Sequence, residues 1–119
     1  MIKLDTAKRN VRETKCDYIY TDADNVEQTA EIRVRYFSLT VRELKEFQAR
    51  QDAADKAGEK VWSSDVLSER IESLPDLGDT DGKPFTISVE LFDLMDLRNV
   101  EAMQKAISED TSPKEQPSK

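Results

Sequence analysis

The side chains that could do chemistry in this chain are carboxylates, a single thiol and a single indole. Histidine is absent from all 119 residues, which removes the commonest general base and the usual transition-metal ligand together. Asp76, Asp79, Asp81 and Gly82 suggest a calcium loop, but the register rejects it. With Gly82 at the sixth position, the first and twelfth fall on Leu77 and Ser88, and neither supplies the carboxylate required there. Asp22 and Asp24 fail in the same way, since no glutamate closes the loop that Asp22 would open. These aspartates read as turn residues whose side chains bond nearby amides. Cys16 lies on the apolar side of an alternating segment and has no imidazole to deprotonate it, so it reads as a buried thiol. An acid–base pair of carboxyls needs one of them desolvated beside a cleft. Every acidic residue here falls on a polar face, a cap or a loop. Three glycines in the whole chain leave no phosphate-cradling loop. The expectation is a protein without catalytic residues, metal ligands or cofactor.

Composition narrows the class further. Charged residues make up 36% of the chain and apolar ones 37%, with a net charge of −7, so one small core sits under a densely charged surface. Acidity argues against a nucleic-acid partner, because binding a phosphate backbone draws on clustered Lys and Arg. It leaves open the reverse case, an acidic mimic of nucleic acid. No apolar run approaches the length of a membrane span. The first residues lack a signal peptide's apolar stretch, and a lone cysteine suits a reducing compartment. A cytoplasmic protein is expected.

The elements that would position these residues follow from periodicity. Residues 1–12 have no clear period and read as a flexible arm, with a short edge strand as the alternative. From Glu13 to Thr21 the pattern alternates, with Cys16, Tyr18 and Tyr20 on one side. After the turn residues Asp22 to Asn25, Ala30, Ile32, Val34 and Tyr36 share one face and Glu31, Arg33 and Arg35 the other. Period two of this kind predicts an antiparallel β-hairpin with one wet face. Two strands alone are marginal, so helices must cover the apolar face. Thr40-Val41-Arg42-Glu43 is a capping box, with Leu39 and Leu44 at staple spacing. The helix it opens presents Val41, Leu44 and Phe47 as cover and stops at Gly58. A second helix starts at Ser63 or Ser64, buries Val66, Leu67, Ile71 and Leu74, and ends at Pro75. Ser88 caps a third, with Ile87 and Phe92 as its staple. Asp96 either caps a fourth helix or lies within one long kinked one. From residue 111 the chain is polar and proline-bearing, which predicts a disordered tail. The fold class expected is α+β: an N-terminal antiparallel hairpin packed against three or four helices, in one domain over residues 13–110.

Trp62 stands between a polar stretch and a helix cap. It reads first as a core anchor between two helices and second as an interface anchor, the role in which tryptophan is enriched. Phe85, Phe92 and Met95 carry the same two readings, and Val100 and Met103 join them on the last helix. These six residues are the candidate partner-binding set.

The order of elements also resembles a family. A strand running into VRYFSLTVRELKEF, a helix with LSERIESLPDL, and then DGKPFTISVELFDLMDLRNVEAMQKAISED are similar to the tail assembly chaperones of long-tailed bacteriophages. The Asp81-Gly82-Lys83-Pro84 turn, the capped amphipathic helix after it and the Ala106-Ile107 ending carry most of the likeness. Leu74 stands where members often have tryptophan. The resemblance implies a non-catalytic protein of the host cytoplasm, absent from the finished virion. It implies binding to the tape-measure protein, help in recruiting tail-tube subunits, self-association as an option, and a longer frameshifted form in many members. The alternative is an acidic adaptor or inhibitor that binds a basic partner. Under the first reading, the apolar stripes of the helices exceed what the hairpin needs, and the excess awaits another polypeptide.

Overall fold

The computed structural model describes residues 1, 3 and 9–111. Strands β1 (Val11–Thr21) and β2 (Glu27–Phe37) pair antiparallel, from Val11 opposite Phe37 to Thr21 opposite Glu27. Asn25 closes the turn between them at φ 62°, its amide donating to the Asp22 carbonyl at 3.1 Å. Asparagine tolerates this left-handed conformation better than most residues. Asp22 Oδ1 accepts from the amides of Asp24 and Val26 at 2.9 and 3.0 Å, the local role its sequence position suggests. After the hairpin come α1 (Val41–Ala57), α2 (Ser63–Arg70), β3 (Ile71–Ser73), α3 (Val89–Asp93) and α4 (Leu97–Thr111). The class is α+β, with one three-stranded sheet in the order β1-β2-β3.

Alternation places Ile32, Val34 and Tyr36 on the covered face of β2, where all three are buried. Cys16 and Tyr18 of β1 lie half-buried against the same core. Arg33 and Arg35 look outward and stay exposed. The cover, however, is not α1. Leu67 of α2, Ile71 of β3, Leu74, Phe92 of α3, and Val100, Met103 and Ile107 of α4 complete the core. α4 lies against β1. α1 has the predicted capping box, with Glu43 N donating to Thr40 Oγ1 at 3.1 Å and Thr40 N donating to Glu43 Oε1 at 3.0 Å. It ends at Gly58, φ 71°, as its composition indicates, yet none of its 17 residues is buried.

Three further boundaries differ from the sequence pattern. β1 begins at Val11, inside the segment expected as a flexible arm, because Arg12 opposite Tyr36 and Asn10 bonded to Ser38 extend the ladder. α2 stops at Arg70, and Ile71–Ser73 leave it to pair with β2, Ile71 opposite Tyr36. The helical spacing of Ile71 and Leu74 concealed this strand, and both side chains are buried either way. α2 starts at Ser63, as expected, with Trp62 in the cap position and no side-chain bond capping it. Asp96 does open a separate helix: its carboxylate accepts the Arg98 amide at 2.9 Å, ending α3 and starting α4. Thr111 belongs to α4, its hydroxyl donating to the Ile107 carbonyl at 2.6 Å. The rest of the expected tail, 112–119, lies outside the described residues, as do 2 and 4–8 of the expected arm.

Asn99 has no counterpart in the sequence reading. It is 2% exposed, and its amide reproduces a strand's edge. Oδ1 accepts Ile19 N at 2.7 Å and Nδ2 donates to Ile19 O at 2.8 Å. β1 is an outer strand of the sheet, so a side chain of α4 supplies the pairing that a fourth strand would. Replacing Asn99 with Ala leaves two backbone groups of Ile19 without partners. The expected loss is about 2–3 kcal/mol in urea unfolding. Met103→Ala, which opens a cavity at a fully buried site, should cost about 2–5 kcal/mol.

Candidate protein-binding groove

The candidate set divides sharply by burial. Phe92, Val100 and Met103 are 2%, 5% and 0% exposed, and they belong to the core because α3 and α4 turn these residues onto the β2 face. In the single chain they lie in the core rather than at the surface. Phe85 is half-buried, and Met95 packs half-buried against the core. Trp62 reverses its first reading: it is 61% exposed, with the Lys60 ammonium 4.7 Å from its ring centre. The long apolar side chains that α3, α4 and their junction leave outside are Val89, Leu94 and Leu97.

The open apolar surface lies instead along α1. Val41 and Leu44 are exposed, and Phe47 is half-buried. Phe47 of α1 and Val66 and Arg70 of α2 line a cleft of about 270 Å³, together with Leu39, Arg9 and the carboxylates of Glu43, Glu46 and Glu69. The first three also border a second, wider cleft of about 620 Å³ that runs past Gln104 and Ile107 to Thr111 of α4. Phe47, Val66 and Arg70 therefore form the shared wall of a groove between α1 and the body of the fold.

Ion pairs rather than packing hold α1 beside this groove. Arg9 reaches Glu43 at 2.6 Å, its guanidinium lying 4.1 Å over the Phe37 ring. Arg50 forks onto Glu69 at 2.7 and 2.9 Å. Glu43 is held below the usual carboxylate range, chiefly by the Thr40 amide, and Glu69 chiefly by the Arg50 guanidinium. Arg70 is different. Its Nε donates to the Phe37 carbonyl at 3.3 Å, and its guanidinium stands 5.5 Å from the Tyr36 ring centre. Nη2 is buried with no hydrogen-bond partner among the described residues. Burial pushes this guanidinium below its ordinary value, against the opposing pull of Tyr36 and Glu43.

Elsewhere the carboxylates serve structure. Asp76 accepts Arg33 N at 2.7 Å and the Arg33 guanidinium at 2.7–3.2 Å, tying the loop after β3 to β2. Asp79 Oδ1 takes the amides of Asp81 and Lys83 at 2.9 and 3.0 Å, the turn role expected of it. Gly78 is required in that loop, since a Cβ there would sit 2.9 Å from the Lys83 carbonyl oxygen. Among the described residues no three of His, Cys, Asp and Glu gather as metal ligands would. Among the same residues no helix is long and apolar enough to cross a membrane.

Arg70 and Val66 were not legible as groove residues: their i, i+4 spacing marks one helix face without saying what lies across it. No family model, curated protein or solved structure matches the chain.

Two measurements check this electrostatic picture. Arg33 holds Asp76 down to about 2 from its ordinary 3.8. A depressed carboxylate stabilises the fold fully above its unfolded value and loses that effect as pH falls through the folded one. Urea midpoints should therefore fall between pH 3.8 and about 2, and Asp76→Asn should flatten that part of the profile. Burial, followed by Asp17, pushes the Cys16 thiol up to about 11. Its alkylation by iodoacetamide at mildly alkaline pH should run roughly a hundredfold slower in the folded than in the urea-unfolded chain.

Proposed function

We propose that this chain is a tail assembly chaperone of the long-tailed phage type. It binds the unassembled tape-measure protein, keeps it soluble and helps recruit tail-tube subunits, without chemistry of its own. One observation carries the reading: a capped helix of 17 residues buries none of them, leaving Val41 and Leu44 exposed and Phe47 on the wall of an open groove. A helix this long is marginal in water on propensity alone. In a small domain, exposed apolar residues lining a cleft mark a place where another chain docks. A tape measure is long and largely helical, and an apolar stripe along such a chain fits a groove walled by Phe47 and Val66.

The binding surface under this proposal is α1 with its groove, extended by Trp62, rather than the core residues of α3 and α4. The acidic-mimic alternative needs rows of uncompensated carboxylates. Here Glu27, Glu31, Glu43, Glu69, Asp76 and Asp96 each pair with an Arg or Lys. That interleaving favours contact by apolar burial.

Co-expression with a tape-measure protein should raise that partner's solubility and allow co-purification at high salt. Leu44→Asp and Phe47→Asp should abolish co-purification. Because neither side chain belongs to the core, each should shift folding stability by no more than about 0.5–1 kcal/mol. Unchanged solubility of the partner, with none co-purifying with the unaltered chain, would sink the proposal.

A further inference from the structure

We infer that the outer edge of β1 is a self-association site, which takes the same edge of a second copy, antiparallel, about a two-fold axis at Thr14. The inference is independent of the groove beside α1. Asn10–Ser38 and Asp22–Val26 are bonded pairs at the two ends of the hairpin ladder. Antiparallel strands bond through every second residue, so even-numbered residues of β1 turn their amide and carbonyl toward β2. Odd-numbered ones turn theirs outward, as Ile19 does toward Asn99. Among the described residues, the outward groups of Val11, Glu13, Lys15 and Asp17 meet no partner. What completes such a row is another extended strand.

Two separate observations select a second copy as that strand, and one register for it. Asn99 occupies Ile19, so the free edge runs from Val11 to Asp17, and its midpoint is Thr14. Only pairing about Thr14 uses the whole of that edge. Along its wet face the exposed side chains read Glu13, Lys15, Asp17, which is acid, base, acid. Pairing about Thr14 sets Lys15 of each copy opposite Glu13 of the other and directly opposes no like charges. Pairing about Lys15 sets lysine against lysine and Glu13 against Asp17, which is destabilising. Pairing about Cys16 needs Ile19, which is taken. A run of one charge would guard this edge against association; the alternating run admits a copy of itself. There is also room. An opening of about 480 Å³ lies between Thr14–Asp17 and α4, where Ala102 and Ala106 present only methyl groups. The two three-stranded sheets then continue as one, in the order β3-β2-β1-β1-β2-β3.

The test is sedimentation of the whole chain across concentration, with amide exchange read residue by residue. A strand pair this short buries little surface, so a reversible dimer with a dissociation constant on the order of 10–100 µM is expected. Where that dimer dominates, the amides of Val11, Glu13, Lys15 and Asp17 should exchange about tenfold more slowly than in dilute solution, and those of the even-numbered residues should change little. Glu13→Lys and Lys15→Glu should each weaken association about tenfold, because each sets like charges opposite one another. The double exchange restores the complement and should return association to its starting strength. Both side chains are exposed, so urea midpoints should stay close to that of the unaltered chain. A chain that stays monomeric well above the expected range overturns the inference. So does a dimer whose odd-numbered β1 amides remain unprotected, one that the single reversals leave unchanged, or one that the double exchange fails to restore. Because the amide pattern is read on the unaltered chain, it decides even if a variant fails to fold.

Discussion

The apolar face of β2 is the constraint on which the rest of this structure depends. Ile32, Val34 and Tyr36 present one continuous patch, and fully burying side chains of this size is worth about 1.5–3 kcal/mol each. No other feature of so small and so charged a chain offers comparable stabilisation. Every element able to reach the patch therefore competes for it. α4 reaches it with three side chains at helical spacing, Val100, Met103 and Ile107. α2 reaches it through Leu67, and α3 through Phe92. β3 takes the remaining edge of β2, placing Ile71 beside Tyr36. With floor and edge both occupied, α1 has nothing left to bury itself against. Its exposure follows from the size of the sheet.

Polar devices fix the cover in one register. α4 is fastened to the sheet along its length. Near its start Arg98 bridges Asp96 and Glu27, both at 2.9 Å. Asn99 completes the edge at Ile19. Near its end the Tyr36 hydroxyl donates to Asp110, which Arg12 also contacts at 3.3 Å. Exposed ion pairs contribute little alone, but Asn99 and Tyr36 act where water is excluded, and satisfied buried bonds specify a unique arrangement. α1 has no such fastening beyond its caps and two surface pairs. By the usual criteria of few buried contacts and solvent-exposed ties, it is the least constrained helix.

What the sequence made legible tracks how local each signal is. The hairpin, the Thr40–Glu43 box, the Gly58 stop, the Ser88 cap and the break at Asp96 all depend on residues within a few positions of one another. Each has a stereochemical cause that holds whatever the rest of the chain does. The misread features are all non-local. Ile71 and Leu74 have helical spacing, and only the free edge of β2, some 35 residues earlier, makes a strand of this segment. Asn99 looks like a polar residue on a helix until β1 is placed beside it. Leu44 and Phe47 have the pattern of a core stripe, and nothing local reveals that α4, about 50 residues later, occupies the face they would have covered. Phe92, Val100 and Met103 were ambiguous for the same reason: apolar periodicity marks a face to be buried without saying against which surface.

Salt bears on the proposed groove through two routes. A nucleic-acid mimic and an apolar docking site differ in their dependence on ionic strength, and a titration separates them only if the groove itself is insensitive to salt. It is not wholly so. α1 is tied beside the cleft by Arg9–Glu43 and Arg50–Glu69, whose side chains are between 32% and 56% exposed, and such pairs weaken as the Debye length falls to about 8 Å at physiological salt and lower beyond it. Rising salt therefore loosens the outer wall of the groove while strengthening apolar association. A mimic loses affinity steadily as salt rises. An apolar groove with a salt-tethered wall keeps most of its affinity, and what changes is how readily the wall moves aside to admit a helix.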